Sequence, residues 1–180
     1  ITHRQLMAIP LQSCDLDFTT CPYRYEKPAS PHLSATLANY PLDIEIITKA
    51  TKRLQSEYEL VLLEGAGGLL VPITENLLTL DYIAEQGCPV ILVTSGRLGS
   101  INHTLLSLEA IKSRGLIVHS VIYNHIHDDA EQTDTEIANS TIEFLRRYLD
   151  NHYPEAHWLQ IPYLKNKVVG NIETLPENFV

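Results

Sequence analysis

An acid followed at once by glycines closes an apolar run in this chain. Leu60-Val61-Leu62-Leu63 leads into Glu64-Gly65-Ala66-Gly67-Gly68-Leu69-Leu70-Val71-Pro72. A carboxylate in that position suits a hard cation such as Mg2+, and glycines let the backbone pass close to a bound ligand. These residue types therefore fit nucleotide–metal chemistry. A tight turn would use the same glycines; the preceding acid and the strand-like run favour a site. No Gly-x-x-x-x-Gly-Lys-Ser/Thr occurs anywhere in the sequence, so the loop that would cradle phosphates is absent from it.

Three further groups of residues invite chemistry. Arg97-Leu98-Gly99-Ser100-Ile101-Asn102-His103 opens a helical pattern. Free N–H groups at a helix start bind anions such as a carboxylate, although Ser100 or Asn102 also suits a plain N-cap. Ser30-Pro31-His32 pairs a hydroxyl with an imidazole, but no Gly-x-Ser-x-Gly elbow accompanies it and the proline separates the two, so a hydrolase triad is rejected. His125, His127, Asp128 and Asp129 resemble a metal cluster. Yet Asp128, Asp129, Glu131, Asp134 and Glu136 open a long helix, where acids offset the helix dipole, and that reading is preferred.

The elements that must position these groups follow from periodicity. A helix is expected over 43–58 with Ile44, Ile47, Leu54 and Tyr58 inward, and another from Thr79 to Gln86, stopped by Gly87. A helix over 102–114 buries Leu105, Leu108, Ile111 and Leu106, and one over 131–150 buries Ile137, Ile142, Leu145 and Leu149. Four apolar strands alternate with them: Leu60–Leu63, Pro89–Thr94, Ile117–Tyr123 and Trp158–Ile161. Strands apolar at nearly every position need both faces covered, which gives an α/β fold with a parallel sheet flanked by helices. In such sheets ligands lie beyond the carboxyl ends of the strands, here Glu64-Gly65-Ala66-Gly67, Thr94-Ser95-Gly96, Tyr123-Asn124-His125 and Ile161-Pro162-Tyr163. Residues 10–41 carry five prolines and read as an irregular segment over the core.

At 180 residues, 44% apolar and 19% charged, the chain is expected to form a single domain over 1–180. A net charge of −9 argues against a nucleic-acid surface. No apolar run of transmembrane length appears. Cys14, Cys21 and Cys88 are odd in number and form no Cys-x-x-Cys pair, which fits a reducing, cytoplasmic setting.

Ser30-Pro31-His32, the Val61–Leu69 run, Pro89-Val90-Ile91-Leu92-Val93 and Leu98-Gly99-Ser100-Ile101-Asn102-His103 occur in an order and spacing that resemble dethiobiotin synthetase, with Asn124 after the third strand. The resemblance runs from about Ile1 to Leu164. It implies a P-loop NTPase-like fold, a homodimer, and an ATP-dependent ligase that joins CO2 to 7,8-diaminopelargonate. One amine captures CO2 as a carbamate, ATP phosphorylates it, and the second amine closes the ureido ring with loss of phosphate. By resemblance, Glu64 holds Mg2+, and Gly65, Ala66 and Gly67 line the phosphate and carbamate region. Asn124, Pro162, Tyr163 and Leu164 meet the adenine. Ser30 and Pro31 belong to the substrate loop. Gly99, Ser100, Ile101 and Asn102 form a substrate-carboxylate site supplied by the opposite subunit.

This sequence departs from the family in two ways. The aspartate that follows the family's asparagine is His125 here. The family's first strand, phosphate loop, two lysines and second strand region are missing, as though this were the C-terminal three-quarters of such a domain. The expectation is that residues precede Ile1 in the native protein, and that 1–180 alone contains no catalytic lysine and does not turn over. Two other classes stay open: a related amidoligase or partitioning-type ATPase, and a non-catalytic pseudo-enzyme subunit.

Overall fold

The computed structural model describes residues 2–127 and 135–163. Backbone contacts divide the chain into two compact units, Ile1–Tyr82 and Ile83–Val180, with the boundary inside one helix. Among the described residues, no helix is long and apolar enough to cross a membrane.

The first unit begins with short helices α1 (Thr2–Leu6), α2 (Ser13–Leu16) and α3 (Pro31–Leu37). The proline-rich segment is thus less irregular than its composition implies, because Pro31 sits at the start of α3, where a missing N–H costs nothing. Arg4 grips Asp15 with two nitrogens, at 2.8 and 3.2 Å, and ties α1 to α2. That guanidinium, with the Gln12 N–H, holds the Asp15 carboxyl down at about 2. Cys14 is fully buried, its Sγ 3.3 Å from the Tyr58 hydroxyl, which donates to Gln12 Oε1 at 2.6 Å. The thiol contact and desolvation push the Tyr58 phenol up.

Helix α4 (Ile44–Glu57) forms as its periodicity requires, with the Asp43 carboxylate capping the Glu45 N–H. Strands β1 (Pro72–Thr74) and β2 (Leu77–Leu78) make a small antiparallel ribbon against which α3 packs. Helix α5 (Thr79–Gln86) follows, ended by Gly87 at φ +65°.

The expected strand Leu60–Leu63 does not form. The segment carries no ladder to any described strand, and Leu60, Leu62 and Leu63 are exposed by 55, 72 and 44%. Apolar composition makes a strand only where a neighbour accepts its backbone hydrogen bonds, and none lies alongside among the described residues.

The second unit holds the parallel sheet, in the order β3 (Val90–Ser95), β4 (Val118–Asn124), β5 (His157–Ile161). Helices α6 (Ser100–Ser113) and α7 (Thr135–His152) are the crossovers that parallel pairing demands. Leu108 and Ile111 of α6 are buried as expected; Leu106 is 61% exposed, and Thr104 takes the inward position instead. On α7, Ala138, Leu145 and Leu149 are buried, whereas Ile137 is 63% exposed. The Tyr153 hydroxyl donates to the Leu108 carbonyl at 3.2 Å and holds the end of α7 to α6.

Candidate functional site

Each unit brings part of the predicted site together. In the first, residues 64–68 form a bend rather than a strand end, and Glu64 is exposed. Among the described residues its carboxylate has no hydrogen-bond or ion-pair partner. Two of the glycines are required by geometry. Gly67 sits at φ +97°, and a Cβ on Gly65 would lie 2.9 Å from Thr79 Cγ2. The bend is pinned to the start of α5: Thr79 N and Oγ1 both donate to the Val71 carbonyl, at 2.9 and 3.0 Å, and Leu80 N donates to Leu69 O at 2.8 Å. Ser30 precedes α3 as its N-cap residue, yet its hydroxyl does not cap the helix.

In the second unit the carboxyl ends of all three strands meet in register. Ser95 pairs with Asn124, and Asn124 pairs with Ile161, so Pro162 and Tyr163 emerge beside Asn124. Asn124 Oδ1 accepts from Ile126 N at 3.0 Å, which fixes the amide and leaves its Nδ2 hydrogens to donate. His125, where the resemblance expects an aspartate, bonds Gln160 Oε1 at 2.8 Å and abuts the Tyr123 ring at 4.9 Å. It fastens β4 to β5.

The loop after β3 turns at Gly99, φ +89°, which is the N-cap of α6 and supplies no side-chain cap. The N-cap reading of Ser100 and Asn102 is thereby corrected. Ser100 is the first helical residue and buried, and Asn102 is exposed on the first turn. Thr104 donates to Ser100 O at 2.7 Å and lies 2.6 Å from Thr94 Oγ1. With one proton of that pair already spent, Thr94 must donate to Thr104. A cleft of about 430 Å³ opens here, lined by Ser95, Arg97, Ser100, His103, Asn124 and Ile126 among others. An uncapped helix start, a guanidinium and an imidazole make it suited to an anion beside a hydrogen-bond donor.

Ser100 and Asn124 are thus brought to one cleft, while Gly99, Ile101 and Asn102 stand at its helix start without lining it. Leu164 lies outside the described residues, as do Asp128, Asp129, Glu131 and Asp134. Among the described residues no group of three metal-ligating side chains occurs. Thr104 and Ser107 were missed as cleft residues. Their spacing of four and seven from Ser100 was the available signal, since it sets all three on one helix face.

Residues 11–177 match the AAA domain family. The ATP-dependent dethiobiotin synthetase BioD of Chlorobaculum tepidum is 50% identical over 146 residues, 81% of this chain and 61% of that protein. The ATP-dependent dethiobiotin synthetase BioD 2 of Pasteurella multocida is 48% identical, covering 87% of this chain and 71% of that protein. Its counterpart in Haemophilus ducreyi is 46% identical over 88% of this chain and 74% of its own length. The chain therefore spans between three-fifths and three-quarters of the length of these relatives. An extended likeness at this level, with an acid-and-glycine bend and a cleft at the strand ends, places the chain in the dethiobiotin synthetase family.

Proposed function

We propose that this protein is a cytoplasmic, ATP-dependent dethiobiotin synthetase that carboxylates 7,8-diaminopelargonate with CO2 and closes the ureido ring, releasing ADP and phosphate. The observation that carries the reading is its identity to relatives of that name over most of its length. The geometry agrees with the chemistry required. A diamine with a terminal carboxylate needs an anion site, and the start of α6 offers N–H groups, the Ser100 hydroxyl and the positive end of the dipole. The adenine edge has acceptor nitrogens, and Asn124 keeps its Nδ2 hydrogens available for them. Pro162 and Tyr163, which follow the Asn124 partner Ile161, would flank it.

Mg2+ fits the bend. An exposed carboxylate without a protein partner is what a cation needs when it keeps most of its waters and binds phosphate oxygens. Glu64 would hold it, and the ion would supply charge neutralisation on the transferred phosphoryl. Gly65, Ala66 and Gly67 expose backbone without side-chain bulk, so phosphate and carbamate oxygens can approach. Ser30 and Pro31 bound the substrate loop. A homodimer would let Gly99–Asn102 of one subunit take the carboxylate of substrate held by the other.

The test is ADP release by the protein at its native length, with Mg-ATP and bicarbonate present. Release stimulated by 7,8-diaminopelargonate supports the reading. ATP binding without diamine-stimulated release would favour a related amidoligase, and no ATP binding at all a pseudo-enzyme.

A further inference from the structure

An open aromatic cleft in the first unit shares no residue with the Glu64 bend or with the cleft at the start of α6. It measures about 360 Å³ and is lined by Phe18, Pro22, Tyr25 and Tyr40, with Arg24 and Glu26 beside them. The backbone is strained to present it. Phe18 sits at φ +65°, a region that bulky residues rarely adopt, and its ring stays exposed. That turn is held firmly: Arg53 donates to Asp17 Oδ2 and to Thr19 Oγ1, both at 2.8 Å, and Thr19 N donates to Asp17 Oδ1 at 3.0 Å. Arg24 is fixed in turn, its guanidinium carbon 3.8 Å from the Phe18 ring centroid. The opposite wall is also rigid. The Tyr25 hydroxyl donates to the Tyr40 carbonyl at 3.1 Å, and its ring meets Tyr40 edge-on at 6.3 Å and Tyr23 stacked at 6.1 Å. Two charges in the cleft stand unmatched. Among the described residues, neither the Arg24 guanidinium nor the Glu26 carboxylate makes a hydrogen bond or an ion pair.

We propose that this cleft binds a free aromatic α-amino acid, its carboxylate on Arg24, its ammonium on Glu26 and its ring against Phe18, Tyr25 and Tyr40. A guanidinium takes a carboxylate through two parallel N–H groups, and an ammonium donates to a carboxylate in a charge-assisted bond. Ring-on-ring contact adds an attraction that a chain of methylenes lacks. A phosphate-bearing ligand would set its anion beside Glu26, and a polyamine would set a cation beside Arg24, so the paired charges select against both. The site stands apart from the ligase reaction proposed above.

The experiment is calorimetric titration of the native-length protein with L-phenylalanine and with L-tryptophan, in the absence of nucleotide and diamine. Saturable binding at one site is the expected result. On the unaltered protein, 2-phenylethylamine, which lacks the carboxylate, and 3-phenylpropionate, which lacks the ammonium, should each bind roughly tenfold more weakly. Arg24→Gln should weaken L-phenylalanine by about tenfold and leave 2-phenylethylamine unchanged. Glu26→Gln should weaken L-phenylalanine to a similar extent and leave 3-phenylpropionate unchanged. No saturable heat with either amino acid at millimolar concentration would overturn the proposal. Equal affinities across the variants would overturn it too, because the ligand would then sit elsewhere. Both side chains are exposed, so neither substitution threatens the fold, and the ligand series is read without any substitution. ADP release is not part of the readout, so failure here leaves the ligase reading standing.

Discussion

Two apolar runs, Leu60–Leu63 and Val90–Val93, look alike in sequence and end differently. The second is paired along its length with β4, with one register shift after Val90, and buries Val90 and Leu92. Among the described residues the first pairs with no strand and stands exposed, and the acid that follows it is exposed too. The difference teaches that a strand is a property of a pair. It also separates two ways of holding a site. The cleft beyond β3 and β4 is fixed by buried hydrogen bonds, whereas the Glu64 bend is fixed by backbone conformation and leaves its carboxylate unengaged.

The sharpest way to break that contrast is Glu64→Gln at native length. An exposed, unpartnered acid contributes little to folding, so the melting temperature should stay within about a degree. If Glu64 holds Mg2+ as proposed, the turnover number should fall by on the order of a hundredfold or more, since several kcal/mol of charge stabilisation would pass through the residue. Parallel losses of activity and stability would instead make Glu64 structural.

On the other side, Thr104→Val strands the buried Thr94 hydroxyl and should cost about 1–3 kcal/mol in urea unfolding. Combining it with Thr94→Val should recover much of that loss, and strict additivity of the two would contradict the assigned bond. Gly67→Ala forces a side chain into φ +97° and should cost about 1–2 kcal/mol, accompanied by a change in Mg-ATP affinity. If affinity holds while stability falls, the bend is a scaffold and not a ligand cradle.

The smallest effect is in pH. The Asp15 carboxyl is depressed from about 3.9 in an unfolded chain to about 2 when bonded to Arg4. Its contribution is therefore complete above pH 4 and is lost as pH falls through 2. Asp15→Asn should flatten that limb of the acid-unfolding curve by lowering stability at neutral pH, where the contribution is complete, and leaving it unchanged below pH 2. A limb unchanged by the substitution would assign the acid sensitivity to other carboxylates.

Most of the helices and three strands were legible because their signals are local. Asp43, Gly87 and Gly115 mark ends, and the stripe of Leu108 and Ile111 marks a face. The fate of Leu60–Leu63 was not legible, because pairing depends on a neighbour that composition does not name. The helix start was visible from Gly99 and Ser100, but the Thr94–Thr104 bond that steadies it joins a strand to a helix and carries no sequence signature. Ser30-Pro31-His32 was rejected as a nucleophile–base pair from its sequence alone, whereas the burial of the His32 Nδ1 without a partner among the described residues emerges only from the structure.

The fork between Arg4 and Asp15 also sets how the first unit answers to salt. Its side chains are only 20 and 13% exposed, so mobile ions screen it less than they screen an open surface pair, and the tie between α1 and α2 holds as ionic strength rises.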